Sequence, residues 1–474
     1  MRNTGNIPLC VDLDGTLVRT DTLLESLLQL FKRSPFRFIL TLFSLIRGRA
    51  YFKHLVAGER YDRGSVPMNP AFYSFLKDEY KNGRTLILAT AAPRKIAERI
   101  SEDLGIFDEV LASDEFINLS GRNKAHVLLQ RFGEKGFEYA GNESRDIHIW
   151  RHARSAILVN ASVRLMRKVS REVPVSHVFD DKLPSLPLFL SAIRPHQWLK
   201  NTLLFIPVLT SHTLFDLAVF LNTILAVVAF CFVTSGVYLI NDMFDVQADR
   251  AHPRKCKRPF ASGNLSLSWG ILASPCLVGI GFLLSAFLSQ TFMLILGVYF
   301  FSTLLYSVFF KQLIFIDVLL LAGLYTLRIV AGHAVNQLSY SFWLLNFSIF
   351  FFLSLALVKR YTELVQLGER GHHKTNGRAY LALDLPLIGM CGISSGYLSV
   401  LILALYVHSS EVMFLYRYPD VLLLLIPLFI YWMSRIWFQA HRNTLNDDPI
   451  VWTISDPTSY AVGILSVLVI LMAM

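Results

Sequence analysis

The chain has 474 residues, 53% of them hydrophobic, a formal net charge of +10 at pH 7 and a mean hydropathy of +0.45. That length suggests two or three domains, yet the apolar residues are unevenly spread: residues 1–180 read as a soluble protein and 195–474 are dominated by apolar runs. The basic residues gather in loops flanking those runs, the positive-inside pattern of membrane proteins, which excludes nucleic acid as the partner of the charge. Cys10, Cys231, Cys256, Cys276 and Cys391 lack pairing or metal-ligand spacing and read as cytosol-side or intramembrane thiols. No signal peptide precedes the first strand, so the amino-terminal domain is expected to stay in the cytoplasm.

Ile7 to Val11 reads as a buried strand that Asp12-Leu13-Asp14-Gly15-Thr16 interrupts. Further strand-like runs at 85–89, 109–112, 137–140 and 156–159 alternate with helical sequence, which argues for a parallel sheet covered on both faces. Ligands of such sheets bind beyond the carboxyl ends of the strands, where Asp12 and Asp14 fall. Asp-x-Asp-Gly-Thr after an apolar strand resembles the first motif of the haloacid dehalogenase (HAD) superfamily, mostly phosphatases. The resemblance implies a Rossmann-like α/β domain over 1–172. It implies Asp12 as the nucleophile that forms an aspartyl-phosphate and Asp14 as general acid and base. Thr90 matches the phosphate-binding hydroxyl of the second motif, and Lys124 the lysine of the third. The fourth motif, Gly-Asp-x-x-x-Asp in the family, reads here from Gly141 through Asn142 to Asp146. By the resemblance, Asp12, Asp14, Asn142 and Asp146 hold Mg²⁺. Asn142 removes one negative charge while keeping an oxygen donor, so an active phosphatase and a degenerate fold kept for structure both stay open.

About 75 residues separate Asp14 from Thr90, too many for a loop in a compact domain. Helical patterns at 23–31 and 36–46 predict a helical cap, about 17–85. Residues 32–63 mix aromatics with Arg33, Arg37, Arg47, Arg49 and Lys53, and their longest apolar run, 38–46, is too short to span a bilayer. Lying on a membrane surface and packing inside the cap are equally open. Residues 173–190, with Pro174, Pro184 and Pro187, read as a linker to a membrane domain over 191–474.

Nine spans are expected, at 197–212, 217–241, 266–288, 291–310, 313–333, 342–358, 384–408, 419–437 and 457–474. With the amino terminus inside, the inward loops carry Arg254, Lys255, Lys257, Arg258, Lys311, Lys359, Arg360, Arg370, Lys374, Arg378, Arg435 and Arg442, and the outward loops essentially only Arg417. The second span leads into Asn241-Asp242-Met243-Phe244-Asp245-Val246-Gln247-Ala248-Asp249. On a continuous helix Asp242, Asp245 and Asp249 lie within about 60° of one another. A carboxylate costs about 3 kcal/mol at the centre of a membrane, and a cluster of them calls for a cation. Mg²⁺ shared between carboxylates and substrate phosphates answers that need.

Asn-Asp-x-x-Asp-x-x-x-Asp, with Arg258-Pro259 and Gly263 after it, resembles the first signature of the UbiA superfamily of intramembrane prenyltransferases. The second signature of that family usually carries two acids; this chain has Asp317, near Tyr306 and Lys311. Arg194 to Asn201, Phe315-Ile316-Asp317 running to Arg328–Gly332, and Lys359-Arg360-Tyr361-Thr362-Glu363 look like the branch of the decaprenyl-phosphate phosphoribosyltransferases. The resemblance implies transfer of 5-phosphoribosyl from phosphoribosyl pyrophosphate (PRPP) to a polyprenyl phosphate. It implies Asp242, Asp245 and Asp249 as Mg²⁺-binding catalytic residues, and Lys200, Asn241, Arg258, Lys311, Asp317, Lys359 and Arg360 as substrate-binding ones. Arg328, about 22 Å along its helix, is expected to snorkel toward the cytoplasm as readily as to touch substrate. A polyprenyl diphosphate donor with an aromatic acceptor is the alternative, and a membrane-anchored phosphatase a second. The expected setting is the inner membrane; no oligomeric state follows.

Overall fold

The computed structural model describes residues 7–57, 66–369, 378–445 and 449–474. Arg370 and Lys374, and the end of the basic segment 32–63, lie outside them. By internal contacts the chain forms two compact units: residues 1–193 together with Leu239–Ala273, and Arg194–Tyr238 together with 274–474. A linear reading that puts everything from 191 onward in one domain does not separate Leu239–Ala273 in this way.

In the first unit, six parallel strands run in the order β3-β2-β1-β4-β5-β6: β1 Leu9–Val11, β2 Leu86–Pro93, β3 Glu109–Ser113, β4 Glu138–Gly141, β5 Ala156–Val159 and β6 Val175–Phe179. Side chains alternate between faces, so Leu9, Val11, Leu86 and Leu88 enter one buried cluster while Cys10, Ile87 and Ala89 enter the other. The strand order reverses at β1, whose Val11 pairs with Leu88 on one side and Ala140 on the other. A crevice outside the strand ends at that reversal is where ligands of such sheets bind. β6 occupies part of the stretch expected as a linker, because Val175–Phe179 extends the ladder from β5.

Between β1 and β2 lie α1 (Thr22–Arg33), α2 (Pro35–Phe43), α3 (Arg49–Val56) and α4 (Pro70–Lys81). The Asp21 carboxylate accepts from the Leu24 amide at 2.9 Å, and Lys32 and Arg33 fill the last turn of α1, so both ends suit the helix dipole. Helices α5 (Arg94–Leu104), α6 (Arg122–Phe132), the short α7 (Ile147–Trp150) and α8 (Val163–Glu172) connect the later strands, and α9 (Ser185–Ala192) follows β6.

Further along the chain come α10 (Ile206–Thr210), α11 (Leu217–Phe244), α12 (Val246–Arg250), α13 (Leu267–Ser285), α14 (Gln290–Val308), α15 (Ile316–Val335), α16 (Phe342–Glu369), α17 (Leu385–Val407), α18 (Ser410–Leu415), α19 (Leu425–His441), α20 (Pro449–Ser455) and α21 (Pro457–Ala473). Among the described residues, seven helices are long and apolar enough to cross a membrane, where nine spans were expected. The expected first span is instead a 3-10 helix, Pro195–Phe205, that passes into α10; Pro207, which has no amide hydrogen to donate, falls where the two meet. At the other end α21 has 17 residues, just under the usual span. In the second unit α15 is the most enclosed span. It packs Leu324, Ala331 and Val335 with Phe292, Leu296 and Tyr299 of α14, and Val318, Ala322 and Ile329 with Phe352 and Ala356 of α16.

Candidate functional site

At the carboxyl end of β1, Asp12 Oδ1 accepts from Lys124 Nζ at 2.8 Å. Lys124 also donates to the Tyr139 hydroxyl at 2.9 Å, and that hydroxyl donates to Asp146 Oδ1 at 3.2 Å. The second Asp146 oxygen accepts from the amides of Asn142 and Glu143, at 3.1 and 2.9 Å. Thr90, buried at the same level of β2, is fixed by the Ala92 amide, which donates to its hydroxyl at 3.0 Å. Asp14 Oδ1 accepts from the Thr22 amide at 3.0 Å. Burial, then Asp21 and Asp12, push the Asp14 carboxyl up to about 8. Burial and Asp12 raise Asp146 to about 6, against the pull of Lys124. The sheet therefore brings all six residues expected from sequence, Asp12, Asp14, Thr90, Lys124, Asn142 and Asp146, to one strand-end crevice. Gly15 sits there at φ +74°, and a Cβ on it would come within 2.2 Å of the Asn142 amide nitrogen. Tyr139 is the member that sequence reasoning missed; nothing distinguishes it from an ordinary core aromatic.

The acid segment follows a different course from the single helix expected. Helix α11 ends at Phe244 and Asp245 caps α12, with φ −98° and ψ 8°, so the two helices are offset. Asp242 and Asp249 remain on a shared side, 3% and 4% exposed, and converge on one guanidinium nitrogen: Arg258 Nη1 donates to Asp242 Oδ1 at 3.2 Å and to Asp249 Oδ2 at 2.6 Å. Burial raises the Asp249 carboxyl above its ordinary range although Arg258 opposes it. Asp245 turns the other way, accepting from Lys32 Nζ of α1 at 2.7 Å. Asn241 is half-buried beside them.

No three His, Cys, Asp or Glu side chains among the described residues form a metal-ligand group. Mg²⁺ does not require one: it is usually held by one or two carboxylates together with substrate phosphates and water. The buried oxygen pair Asp242 and Asp249 fits that demand, and so does the oxygen set of Asp12, Asp146 and Asn142.

Two clusters lie within the second unit. Asp317, fully buried, accepts from Arg360 Nε at 2.7 Å and from the Tyr380 hydroxyl at 2.5 Å. Arg360 also donates to Glu363 at 2.5 Å and to the Tyr306 hydroxyl at 3.3 Å, and Glu363 pairs with Arg378. The structure thus satisfies Asp317 and Arg360 with each other. Arg328 does not snorkel: it is 4% exposed and donates to Asn201 Oδ1 at 3.0 Å, the Tyr299 hydroxyl at 2.8 Å and the Leu324 carbonyl at 2.8 Å. Its guanidinium lies 4.8 Å from the Tyr299 ring centre, a contact that stabilises a buried cation. Lys200 is buried with its ammonium 5.7 Å from the Tyr325 ring centre. Lys311 and Lys359 are half-buried. Asn201 closes the segment Arg194 to Asn201 singled out by resemblance, though without a role, and Tyr299 and Tyr380 carry no sequence signal that marks them in advance.

These features define a class of membrane-embedded helical protein that carries an α/β domain with a carboxylate and lysine cluster at its strand ends. Residues 202–450 match the UbiA prenyltransferase family and residues 9–147 the haloacid dehalogenase-like hydrolases. The chain belongs to the UbiA prenyltransferase family, is an integral membrane protein and carries a HAD-like domain at its amino-terminal end. It is 36% identical over 99% of its length, and 91% of the relative's, to protein y4nM of Sinorhizobium fredii. It is 34% identical to nodulation protein NoeC of Azorhizobium caulinodans over 59% of this chain and 90% of that one. To decaprenyl-phosphate phosphoribosyltransferase of Mycolicibacterium smegmatis it is 36% identical, over 38% of this chain and 58% of that protein. The UbiA homolog of Archaeoglobus fulgidus solved with GPP and Mg²⁺ superposes with a TM-score of 0.46 at 17% identity, covering 60% of this chain and 96% of that one.

Proposed function

We propose that this chain transfers 5-phosphoribosyl from PRPP to a polyprenyl phosphate, and that its HAD-like domain then removes the 5-phosphate from the product. The observation that carries the first half is the pair Asp242 and Asp249, buried on Arg258 where an apolar 28-residue helix ends. The resemblance to the phosphoribosyltransferases supports this choice of donor and acceptor. In the transfer, the bond from ribose C1 to the pyrophosphate oxygen breaks and a bond from C1 to an oxygen of the lipid phosphate forms. The acceptor is already an anion, so no proton has to leave it. Asp242 and Asp249 would hold Mg²⁺, with Asp245 of the family signature as a third ligand if it left Lys32, and the ion would supply positive charge for the departing pyrophosphate. Arg258 adds a fixed guanidinium suited to phosphate oxygens.

In the second reaction Asp12 attacks the phosphorus of the 5-phosphate, and Lys124 offsets the charge on the transferred group. Asp14, protonated at neutral pH by its raised pKa, gives its proton to the departing ribose 5-oxygen. It then takes a proton from the water that hydrolyses the aspartyl-phosphate. The excess of Lys and Arg in the expected inward loops supports placing this domain and the acid segment on the cytoplasmic side of the inner membrane.

A prenyltransferase using a polyprenyl diphosphate and an aromatic acceptor is the second reading, favoured by the family description alone. The two are separated by giving the purified protein labelled PRPP with polyprenyl phosphate and, in parallel, a labelled prenyl diphosphate with an aromatic acid. Label entering the lipid fraction in the first mixture alone is expected. Product in the second mixture alone overturns the assignment.

A further inference from the structure

Helix α2 and the 3-10 turn after it, Ser44–Arg47, hold no buried residue. Phe36 is 71% exposed, Phe43 64% and Ile46 86%, with Ile39, Leu40 and Leu45 also open. A soluble domain rarely leaves so continuous an apolar surface without a partner. The position of this surface says which partner. Phe38 packs edge-on against Phe31 of α1 at 5.2 Å, and Phe31 stacks on Phe244 at 5.5 Å. Phe244 is the last residue of the apolar span α11, and its carbonyl accepts from Lys32 Nζ at 3.0 Å and from Gln29 Nε2 at 3.3 Å. The exposed helix therefore begins where a membrane-spanning helix leaves its apolar stretch.

Charge agrees with this position. From Ser26 to Ala57 the chain has no acidic residue, while Arg33, Arg37, Arg47 and Arg49 are exposed along the same segment. Apolar side chains with a basic border, in a helix too short to span, describe an element that lies in the headgroup layer of an anionic bilayer. α3, which continues this element, reaches the phosphatase crevice: Lys53 donates to the Ala91 carbonyl at 2.7 Å and to Asn118 Oδ1 at 2.9 Å, both beside Thr90 and Ser113 at the strand ends.

We propose that α2 and its following turn are seated in the bilayer surface, and that this seating gives the phosphatase site its preference for phosphate esters carried by membrane lipids over soluble ones. The second clause rests on the phosphatase reading above; the first does not.

The test uses the full chain in vesicles of phosphatidylcholine and phosphatidylglycerol. Cys256, Cys276 and Cys391 are replaced by serine, and an environment-sensitive fluorophore is attached to Phe43→Cys or, as reference, to the exposed Lys81→Cys. The Phe43 label is expected to emit at shorter wavelength and be quenched by headgroup-labelled nitroxide lipid, while the Lys81 label is quenched by aqueous iodide. Equal iodide quenching at both positions overturns the seating. So does a Phe43 signal that follows protein concentration instead of the presence of lipid, since that marks a second copy as the partner. The exposed positions also permit Ile39→Glu with Phe43→Glu and Ile46→Glu in one chain without loss of core packing. This variant is expected to lose at least tenfold of its turnover on a vesicle-borne lipid phosphate and to keep hydrolysis of soluble p-nitrophenyl phosphate. Equal effects on the two substrates overturn the preference for lipid esters. If wild type hydrolyses neither, the phosphatase reading fails and the fluorescence still decides the seating.

Discussion

Two buried carboxylates on one guanidinium form a poised arrangement, because Asp242 and Asp249 repel each other and Arg258 holds both. Removing one carboxylate relieves that repulsion, so Asp242→Ala or Asp249→Ala is expected to abolish transfer while the yield of folded protein stays near wild type. Near-normal Mg²⁺-dependent turnover would remove the residue from the site. Asp245 pairs with Lys32 instead, so Asp245→Ala leaves the Arg258 pair intact and is expected to abolish transfer only if the third acid takes part in binding; near-normal turnover takes it out of the site. On the other site, the raised carboxyls of Asp14 and Asp146 set a pH dependence. Their native pKa values, about 8 and about 6, lie above the unfolded value near 3.9. The native state thus binds more protons across that interval, and stability falls as pH rises through it. In EDTA, the thermal midpoint of the amino-terminal domain is expected to drop steadily from pH 5 to 8. Asp14→Asn should flatten the drop above pH 6; a midpoint that climbs over this range contradicts the assignment.

Helix α1 is the element on which the amino-terminal unit joins the acid segment. Glu25, Gln29 and Lys32 are spaced four and three apart and so share one face. Glu25 takes both guanidinium nitrogens of Arg250, at 2.8 and 3.0 Å, with 1% and 6% of the two side chains exposed. Arg19 donates to Asn264 at 2.7 Å, next to Gly263, whose φ of +71° and crowding by Arg19 leave no room for a Cβ. Deleting one partner of a buried bidentate pair leaves a charge uncompensated, at a cost of about 3–5 kcal/mol. Glu25→Ala is expected to destabilise by about that amount in chemical denaturation, and Glu25→Leu with Arg250→Met to recover most of it. An additive double variant would mean that the pair does not couple. This docking was not legible in the sequence, because a Glu, a Gln and a Lys on a cap helix look like any solvated face. The strand-end site was legible through motif resemblance: Asp12 and Asp14 follow an apolar strand, and Thr90, Lys124, Asn142 and Asp146 match the later motifs in order. The acid segment was half legible: the seven-residue spacing of Asp242 and Asp249 survives the break at Asp245, whereas a helical wheel assumes no break. Arg328 misled because its distance along the helix says nothing of Asn201 and Tyr299 facing it.

At the scale of the whole molecule, two reactions on one chain make sense where the product of one is the substrate of the other. Ribosyl transfer from PRPP leaves a 5-phosphate on a lipid-linked sugar, and a phosphomonoesterase of the HAD type acts on that group. Sharing one chain raises the effective concentration of one site's product at the other, and a lipid anchor further confines it to the surface on which α2 is proposed to lie. The nucleophile separates the two activities cleanly, because Asp12→Asn alters the strand-end crevice and leaves the acid segment as it is. With labelled PRPP and polyprenyl phosphate, wild type is expected to release the lipid-linked ribose without its phosphate, and Asp12→Asn to accumulate the phosphorylated lipid at an unchanged rate of first transfer. Thin-layer separation of the two lipids reads the ratio directly. The carboxamide at Asn142 makes the comparison demanding, for it leaves Asp146 as the sole fourth-motif carboxylate beside Asp12 and Lys124. Restoring the acid with Asn142→Asp is expected to speed dephosphorylation of the wild-type product and to do nothing in the Asp12→Asn background. Equal product ratios from wild type, Asp12→Asn and Asn142→Asp would show that the domain does not act on the transferred phosphate.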